Sequence, residues 1–448
     1  MINYRSDADG AAGAIGKIHA FEKFGSILGL ERMTELLRLL GDPQDRLKVI
    51  HVAGTNGKGS VCRYLYSVLQ ENGYRTGLYT SPFLEVFNER IELDGAYISD
   101  KDLADYTDRV LEKVQIMVDA GKQSPTEFEV ITAIAFLYFY EKGADYVVLE
   151  VGLGGRGDST NVCKKPLVSV ITSISYDHTD RLGNTLAEIA WEKAGIIKDS
   201  CPVVTSAKAP EALEVIEQTA AEHGALFFET RHIPYTLKEA GLSGSCFDVD
   251  IQGVRFENLR ISMVGEHQIE NAIAALVTIN LIEERGDVRL KKEKLYSGLQ
   301  KAKQIGRFEV MTAPDKKPIV ILDGAHNPDG ARVLRDAVKR FCPQKRILLV
   351  TGMLADKDTT RILEAFRDIT GDFIATEPVN PRRMKKEDLK DALEKSGAHC
   401  TTDADAEDAV RDALYRKRDY DVILFAGSLY LIGQIRGVLR SLLAAEPQ

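Results

Sequence analysis

The sequence predicts an α/β protein of two domains, each built on a mostly parallel sheet. Three observations predict it. Short apolar runs alternate with longer stretches of helical periodicity, the pattern of βαβ units. A glycine-rich loop, Gly54-Thr55-Asn56-Gly57-Lys58-Gly59-Ser60, joins one such run to a helical stretch. A second alternating series begins near residue 306, and 448 residues exceed what one ordinary core supports.

Residues 48–53 read as a strand that runs into the glycine-rich loop. The helix after it carries Val61, Leu65, Val68 and Leu69 on one stripe. A second strand is predicted over 77–80. Ser124-Pro125-Thr126-Glu127 reads as a capped helix start with proline in the first helical position. The strand over 146–151 ends in a glycine-rich turn, and that over 167–174 ends just before Asp177-His178. Residues 230–262 lack a helical period and fit a small β insertion. A polar, glycine-terminated joint at 301–306 separates a domain of residues 1–305 from one of 306–448. The second series has strands over 318–323, 347–351, 373–376 and 421–426.

Composition narrows the function. Hydrophobic residues make up 44% and charged residues 28%, as in ordinary globular chains. The net charge of −9, with no Lys/Arg-rich run, argues against a nucleic-acid partner. No apolar stretch reaches the roughly 18 residues of a membrane helix, and residues 1–13 lack the apolar core of a signal peptide. Six cysteines without a CxxC pair suggest reduced thiols in a cytoplasmic protein.

A glycine-rich loop between strand and helix lets the backbone wrap a phosphate, with the N–H groups at the helix start facing the anion. In such a loop Lys58 can neutralise phosphate charge and the Ser60 hydroxyl can ligate Mg²⁺. The extra glycine between Lys58 and Ser60 departs from the usual GxxxxGK[ST] spacing. Ligands of open α/β sheets bind beyond the carboxyl ends of the strands. Three further groups suited to a metal lie at such ends: Ser81, Glu150 and His178. Glu150 interrupts the apolar run Val147-Val148-Leu149, where a carboxylate needs a partner. Asp323 likewise ends an apolar strand. Thr185 and Glu188 form a capping-box pattern, and Leu186, Ile189, Ala190 and Lys193 then share one helical face. A lysine buried on such a face has a lowered pKa and a reactive neutral amine.

Nine segments, HVAGTNGKGS, TSPFLEVFNERI, LEVGLGGRGDSTN, SISYDHTDRLG, EKAGIIK, GEHQIENAIAAL, IGRFE, LDGAHNPDGA and FAGSLYLIG, stand in the order and spacing of one family. Over about residues 20 to 435 the chain resembles the folylpolyglutamate synthase/dihydrofolate synthase family of Mur-ligase-like enzymes. The resemblance implies a P-loop-containing, Mur-ligase-like central domain and a smaller Rossmann-like C-terminal domain. It implies ATP-dependent ligation of L-glutamate to a folate or dihydropteroate through an acyl-phosphate, with one or two Mg²⁺ ions, closure of two domains around the intermediate, and a monomeric enzyme.

Position by position, the resemblance implies ATP contacts at residues 55–60 of the phosphate loop (Thr55, Asn56, Gly57, Lys58, Gly59, Ser60) and at Asn271, Arg307 and Asp323. It implies Mg²⁺ ligation by Ser60, Ser81, Glu150 and His178, and catalytic roles for Lys58, His326 and Lys193, the last as an N-carboxylysine. Leu28 and Gly29 in the LGLER segment, and Thr126, Glu127, Phe128 and Glu129, resemble pterin-side segments. Ser428 and Tyr430 follow the last strand, where glutamate would enter. Gly157 stands where the family commonly has a large apolar residue, which bears on the shape of the pterin pocket. A nucleotide-hydrolysing switch protein would share the phosphate loop, but it would leave DGAHNPDGA and FAGSLYLIG without a role.

Overall fold

The apolar runs at residues 49–53, 146–150 and 168–171 are buried along their whole length, as expected of strands covered on both faces by helices. A computed structural model describes residues 10–25, 27–313 and 316–445. The N-terminal part of the signal-peptide reading, residues 1–9, lies outside them. Among the described residues no helix is long and apolar enough to cross a membrane.

Two compact units emerge. The first comprises Met1–Pro234, Ile251–Gly253 and Glu270–Lys301. It holds β1 (Val49–Ala53), β2 (Thr76–Tyr79), β3 (Ile91–Leu93), β4 (Ala96–Tyr97), β5 (Tyr146–Glu150), β6 (Val168–Ile171), β7 (Val203–Thr205) and β8 (Phe227–Glu229) in one sheet. Their order is β4-β3-β2-β5-β1-β6-β7-β8. All pairs are parallel except those made by β3, which is antiparallel to β2 and β4. The helix Lys58–Glu71 buries Val61, Leu65, Val68 and Leu69, the stripe its sequence shows.

The second unit comprises Tyr235–Asp250, Val254–Ile269 and Ala302–Gln448. The anticipated β insertion is a three-stranded sheet, β9 (Tyr235–Gly241), β10 (Gly244–Ile251) and β11 (Val254–Ile261), in the order β11-β10-β9. By contacts, most of this insertion groups with the residues after 301. A six-stranded sheet of β12 (Glu309–Val310), β13 (Ile319–Asp323), β14 (Ile347–Thr351), β15 (Asp372–Ala375), β16 (His399–Thr402) and β17 (Val422–Ala426) runs in the order β12-β13-β17-β14-β15-β16. Only β12 is antiparallel to its neighbour.

Two local expectations change. The helix expected to start at Pro125 is Glu127–Glu141, capped by Thr126. The Thr126 hydroxyl accepts from Glu129 N at 3.3 Å, and Thr126 N donates to Glu129 Oε2 at 2.7 Å, so the reciprocal cap falls two residues later than Ser124. The strand expected to reach residue 174 ends at Ile171, because the hydroxyl-bearing residues beyond it bond to the phosphate loop. All six cysteines are buried free thiols.

Candidate functional site

β1 delivers the chain to the glycine-rich loop, and the loop's shape is set from outside. Gly54, at φ +146°, has no room for a Cβ: it would stand 1.8 Å from Thr172 Oγ1. The segment after β6 clasps the loop. Thr55 N donates to Ser173 O at 2.7 Å and Asn56 N to Ser173 Oγ at 3.2 Å, while Thr172 Oγ1 donates to Asn56 O at 2.7 Å. The Thr55 hydroxyl donates to Ser175 O and accepts from Ser175 N, both at 3.1 Å. Sequence reasoning missed this clasp. Its signal was the hydroxyl run Thr172-Ser173-Ile174-Ser175, set where an apolar strand gives out.

The helix Lys58–Glu71 opens at the loop's end, with first-turn N–H groups that have no acceptor within the helix. Asn271, in the helix Glu266–Glu284, lies over the loop: a Cβ on Gly57 would stand 2.6 Å from Asn271 Oδ1. Lys58 Nζ donates to the carbonyls of Gly54 and Thr55, both at 3.1 Å. Lys193 Nζ donates to Gly54 O at 2.9 Å.

Lys193 is 5% exposed, on the helix Leu186–Ala194, whose capping box of Thr185 and Glu188 is present as read. Burial, reinforced by the charge of Lys58, pulls its ammonium down to about 7.

β5 lies between β1 and β2, so Glu150 stands at the carboxyl ends of three adjacent strands, opposite Val52. Its buried carboxylate accepts from Ser81 N at 3.3 Å, which brings these two residues together; Ser60 is also buried. A carboxylate at a strand end offers the oxygen donors that Mg²⁺ prefers. His178 begins the short helix Thr179–Leu182 in a left-handed conformation, φ 50°, and its N–H donates to Asp177 Oδ1 at 2.9 Å. No group of three His, Cys, Asp or Glu side chains suited to a metal occurs among the described residues.

The two segments expected on the pterin side meet in the first unit. Arg32 Nε donates to Glu129 Oε2 at 3.0 Å and Arg32 Nη2 to Ile27 O at 2.8 Å. This ion pair is buried, and Thr126 and Glu129 also bond to each other in the helix cap. Glu127 Oε1 pairs with His19 Nδ1 at 3.1 Å, which raises the pKa of that histidine. The Phe128 ring covers Gly152, where a Cβ would stand 2.4 Å from the ring. Gly29 N donates to Gly157 O at 3.0 Å, and a Cβ on Gly157 would stand 2.9 Å from Leu28 Cβ. The glycine thus lets residues 28–29 lie directly on the GRGD turn.

In the second unit, Asp323 ends β13 and its carboxylate organises the neighbouring turns. It accepts from Phe308 N and from Ala325 N, both at 2.7 Å. Burial raises its pKa, against the opposing pull of Arg307 and the two N–H groups. His326 Nδ1 lies 2.7 Å from Gly324 O, so Nδ1 carries the proton. Ser428 caps the helix Leu429–Ala444 by accepting from Tyr430 N at 3.1 Å; Ser428 is buried and Tyr430 is exposed.

Two family models match the chain: the Mur ligase middle domain over residues 52–279 and the Mur ligase glutamate ligase domain over 306–429. A Bacillus subtilis dihydrofolate synthase/folylpolyglutamate synthase is 39% identical over 94% of this chain and 97% of its own length. A Thermotoga maritima folylpolyglutamate synthase structure superposes with TM-score 0.84 at 36% identity, covering 96% of this chain and 97% of that one. An Escherichia coli FolC structure in complex with DHPP and ADP gives TM-score 0.86 at 29% identity, covering 98% and 99%. A phosphate loop clasped by hydroxyls, a buried lysine on its first carbonyl and two Mur ligase domains in sequence lead to one conclusion: the chain belongs to the dihydrofolate synthase/folylpolyglutamate synthase family of Mur ligases.

Proposed function

We propose that the clasped phosphate loop, with Lys58 at its end and Asn271 over Gly57, holds the polyphosphate of ATP for glutamate ligation to a folate. The chain is an ATP-dependent ligase that adds L-glutamate to folates with release of ADP and phosphate. The placement of Lys58 and Lys193 on the carbonyl of Gly54 is the observation that carries this reading.

Amide formation from a carboxylate is uphill in water, so the carboxylate is first activated. A substrate carboxylate oxygen attacks the γ-phosphorus of ATP and ADP leaves. The amine nitrogen of glutamate then attacks the acyl carbon, phosphate leaves, and the nitrogen gives up a proton. Phosphoryl transfer needs mainly alignment and charge neutralisation. Lys58 and the N–H groups at the helix start supply both, with Asn271, Arg307 and Asp323 contacting the nucleotide. Ser60, Ser81, Glu150 and His178 would hold Mg²⁺, which would supply positive charge against the phosphates.

Lys193, as a carbamate, would turn a repulsive neighbour of Lys58 into an attractive one. His326, whose Nδ1 donates to Gly324 O, would act in the second unit. Leu28, Gly29, Thr126, Glu127, Phe128 and Glu129 shape the pterin side, and Ser428 and Tyr430 the glutamate side. We assign residues 1–305 to the ATP-binding domain and 306–448 to the glutamate-ligase domain. The family matches at 52–279 and 306–429 support that assignment. A cytoplasmic monomer with dihydropteroate, tetrahydrofolate or both as acceptor completes the reading.

A coupled ADP assay tests it. ADP release should require both a pterin carboxylate and L-glutamate. Equal release with and without glutamate would favour a hydrolytic switch instead.

A further inference from the structure

We infer that Asn161 is a positioning residue for Lys193, acting through a seam between two backbones. The proposal rests on the role given to Lys193 above. The end of the helix Leu186–Ala194 packs its backbone against that of the GRGD turn. Arg156 N donates to Glu192 O at 2.7 Å. A Cβ on Gly155 would stand 2.8 Å from the carbonyl oxygens of Glu192 and Lys193. A Cβ on Gly195 would stand 2.4 Å from Arg156 Cα. Two glycines, one on each side, permit this approach.

Asn161 closes the seam. Its Nδ2 donates to Arg156 O and to Gly195 O, both at 3.0 Å, so one buried amide ties the turn to the end of the helix. Gly195 lies two residues beyond Lys193, and the Lys193 side chain runs from this anchored helix end to Gly54 O at 2.9 Å. The other end of that contact is held as well, because Thr172 Oγ1 bonds to Ala53 O at 3.2 Å and to Asn56 O at 2.7 Å, on either side of Gly54. The lysine side chain thus links the bonded end of this helix to the loop. Loosening the seam moves its Nζ relative to Gly54 O.

A double-mutant cycle on kcat separates positioning from bulk stability. Asn161→Ala should lower kcat about tenfold or more while the KM for ATP stays within about twofold. In a Lys193→Ala background, with slow turnover followed by ADP accumulation over hours, Asn161→Ala should cost nothing further. Gly195→Ala is an independent probe of the same seam. Its φ of −59° accepts alanine, the atoms its Cβ meets first are those of Arg156 at 2.4–2.8 Å, and it should reproduce the pattern even if Asn161→Ala fails to fold. Losses that multiply in the double variants, or an unchanged kcat in Asn161→Ala or Gly195→Ala, would overturn the inference. A fully active Lys193→Ala enzyme would instead remove the role of Lys193, and this proposal with it.

Discussion

Lys58 and Lys193 share one acceptor: both ammonium groups donate to the carbonyl oxygen of Gly54, at 3.1 and 2.9 Å. Two like charges on one oxygen, one of them buried, resist being charged together. The arrangement ties the protonation of Lys193 to the position of Lys58.

The pH dependence of stability follows in sign. The folded pKa of Lys193, about 7, lies below the ordinary lysine value of 10.5. Below 7 both folded and unfolded states carry the proton, and the full cost of the buried charge is present. Between 7 and 10.5 the unfolded chain holds a proton that the folded one has lost, so stability rises with pH. Urea unfolding at pH 6, 7.5 and 9, compared with Lys193→Met, should show the wild type gaining on the variant by a few kcal/mol as pH rises, at about 1.4 kcal/mol per unit. A parallel pH course for the two proteins would contradict the burial of a neutral amine.

The same neutral amine should react with CO₂. A density map collected with bicarbonate should show an N-carboxylysine at residue 193. Short carboxylates should restore part of the activity lost in Lys193→Ala. Clear density for an unmodified amine, together with a fully active variant, would refute the carbamate.

Lys58→Ala and Glu150→Gln should each lower turnover by about two orders of magnitude or more, the scale of losing a preorganised electrostatic group. Circular dichroism should be unchanged, since Lys58 is only partly buried and glutamine keeps the volume of Glu150. Glu150→Gln should also raise the Mg²⁺ concentration needed for half-maximal rate. Wild-type turnover in either folded variant would remove its assigned role.

Arg32 and Glu129 form a buried pair, so breaking it from one side leaves an uncompensated charge. Arg32→Ala should destabilise the protein by about 3–5 kcal/mol, whereas Arg32→Met with Glu129→Met should cost much less. Denaturant midpoints of the two variants give the comparison directly.

Gly157→Leu should push residues 28–29 off the GRGD turn, since even a Cβ meets Leu28 at 2.9 Å. The KM for the pterin substrate should change several-fold and the KM for ATP should not. Unaltered kinetics with dihydropteroate and with tetrahydrofolate would place the pterin elsewhere.

Sequence legibility followed the range of the forces involved. Strands buried on both faces announce themselves as apolar runs, and Val49–Ala53, Tyr146–Glu150 and Ile347–Thr351 fall within a residue of their expected limits. Spacing put Lys193 on one helical face with Ile189 and Ala190, but periodicity alone fits a lysine reaching out to solvent as well as the buried one found, and the family resemblance decided between them. The cap at Thr126 was misplaced because two overlapping Ser/Thr patterns compete and only the fold chooses between them. Contacts between distant segments left no local trace. Arg32 and Glu129 are 97 residues apart, and Asn161 and Gly195 are 34 apart, each joined by geometry that periodicity does not encode.

The six buried cysteines divide evenly, with Cys62, Cys163 and Cys201 in the first unit and Cys246, Cys342 and Cys400 in the second. Burial pushes the thiols of Cys163 up to about 12 and of Cys201, Cys342 and Cys400 up to about 11, so few are thiolate at neutral pH. The native protein should therefore resist maleimides and mild oxidants until a segment opens. Mass-resolved labelling kinetics at each cysteine would then clock the opening of each unit separately, with no probe to engineer and no tag to attach.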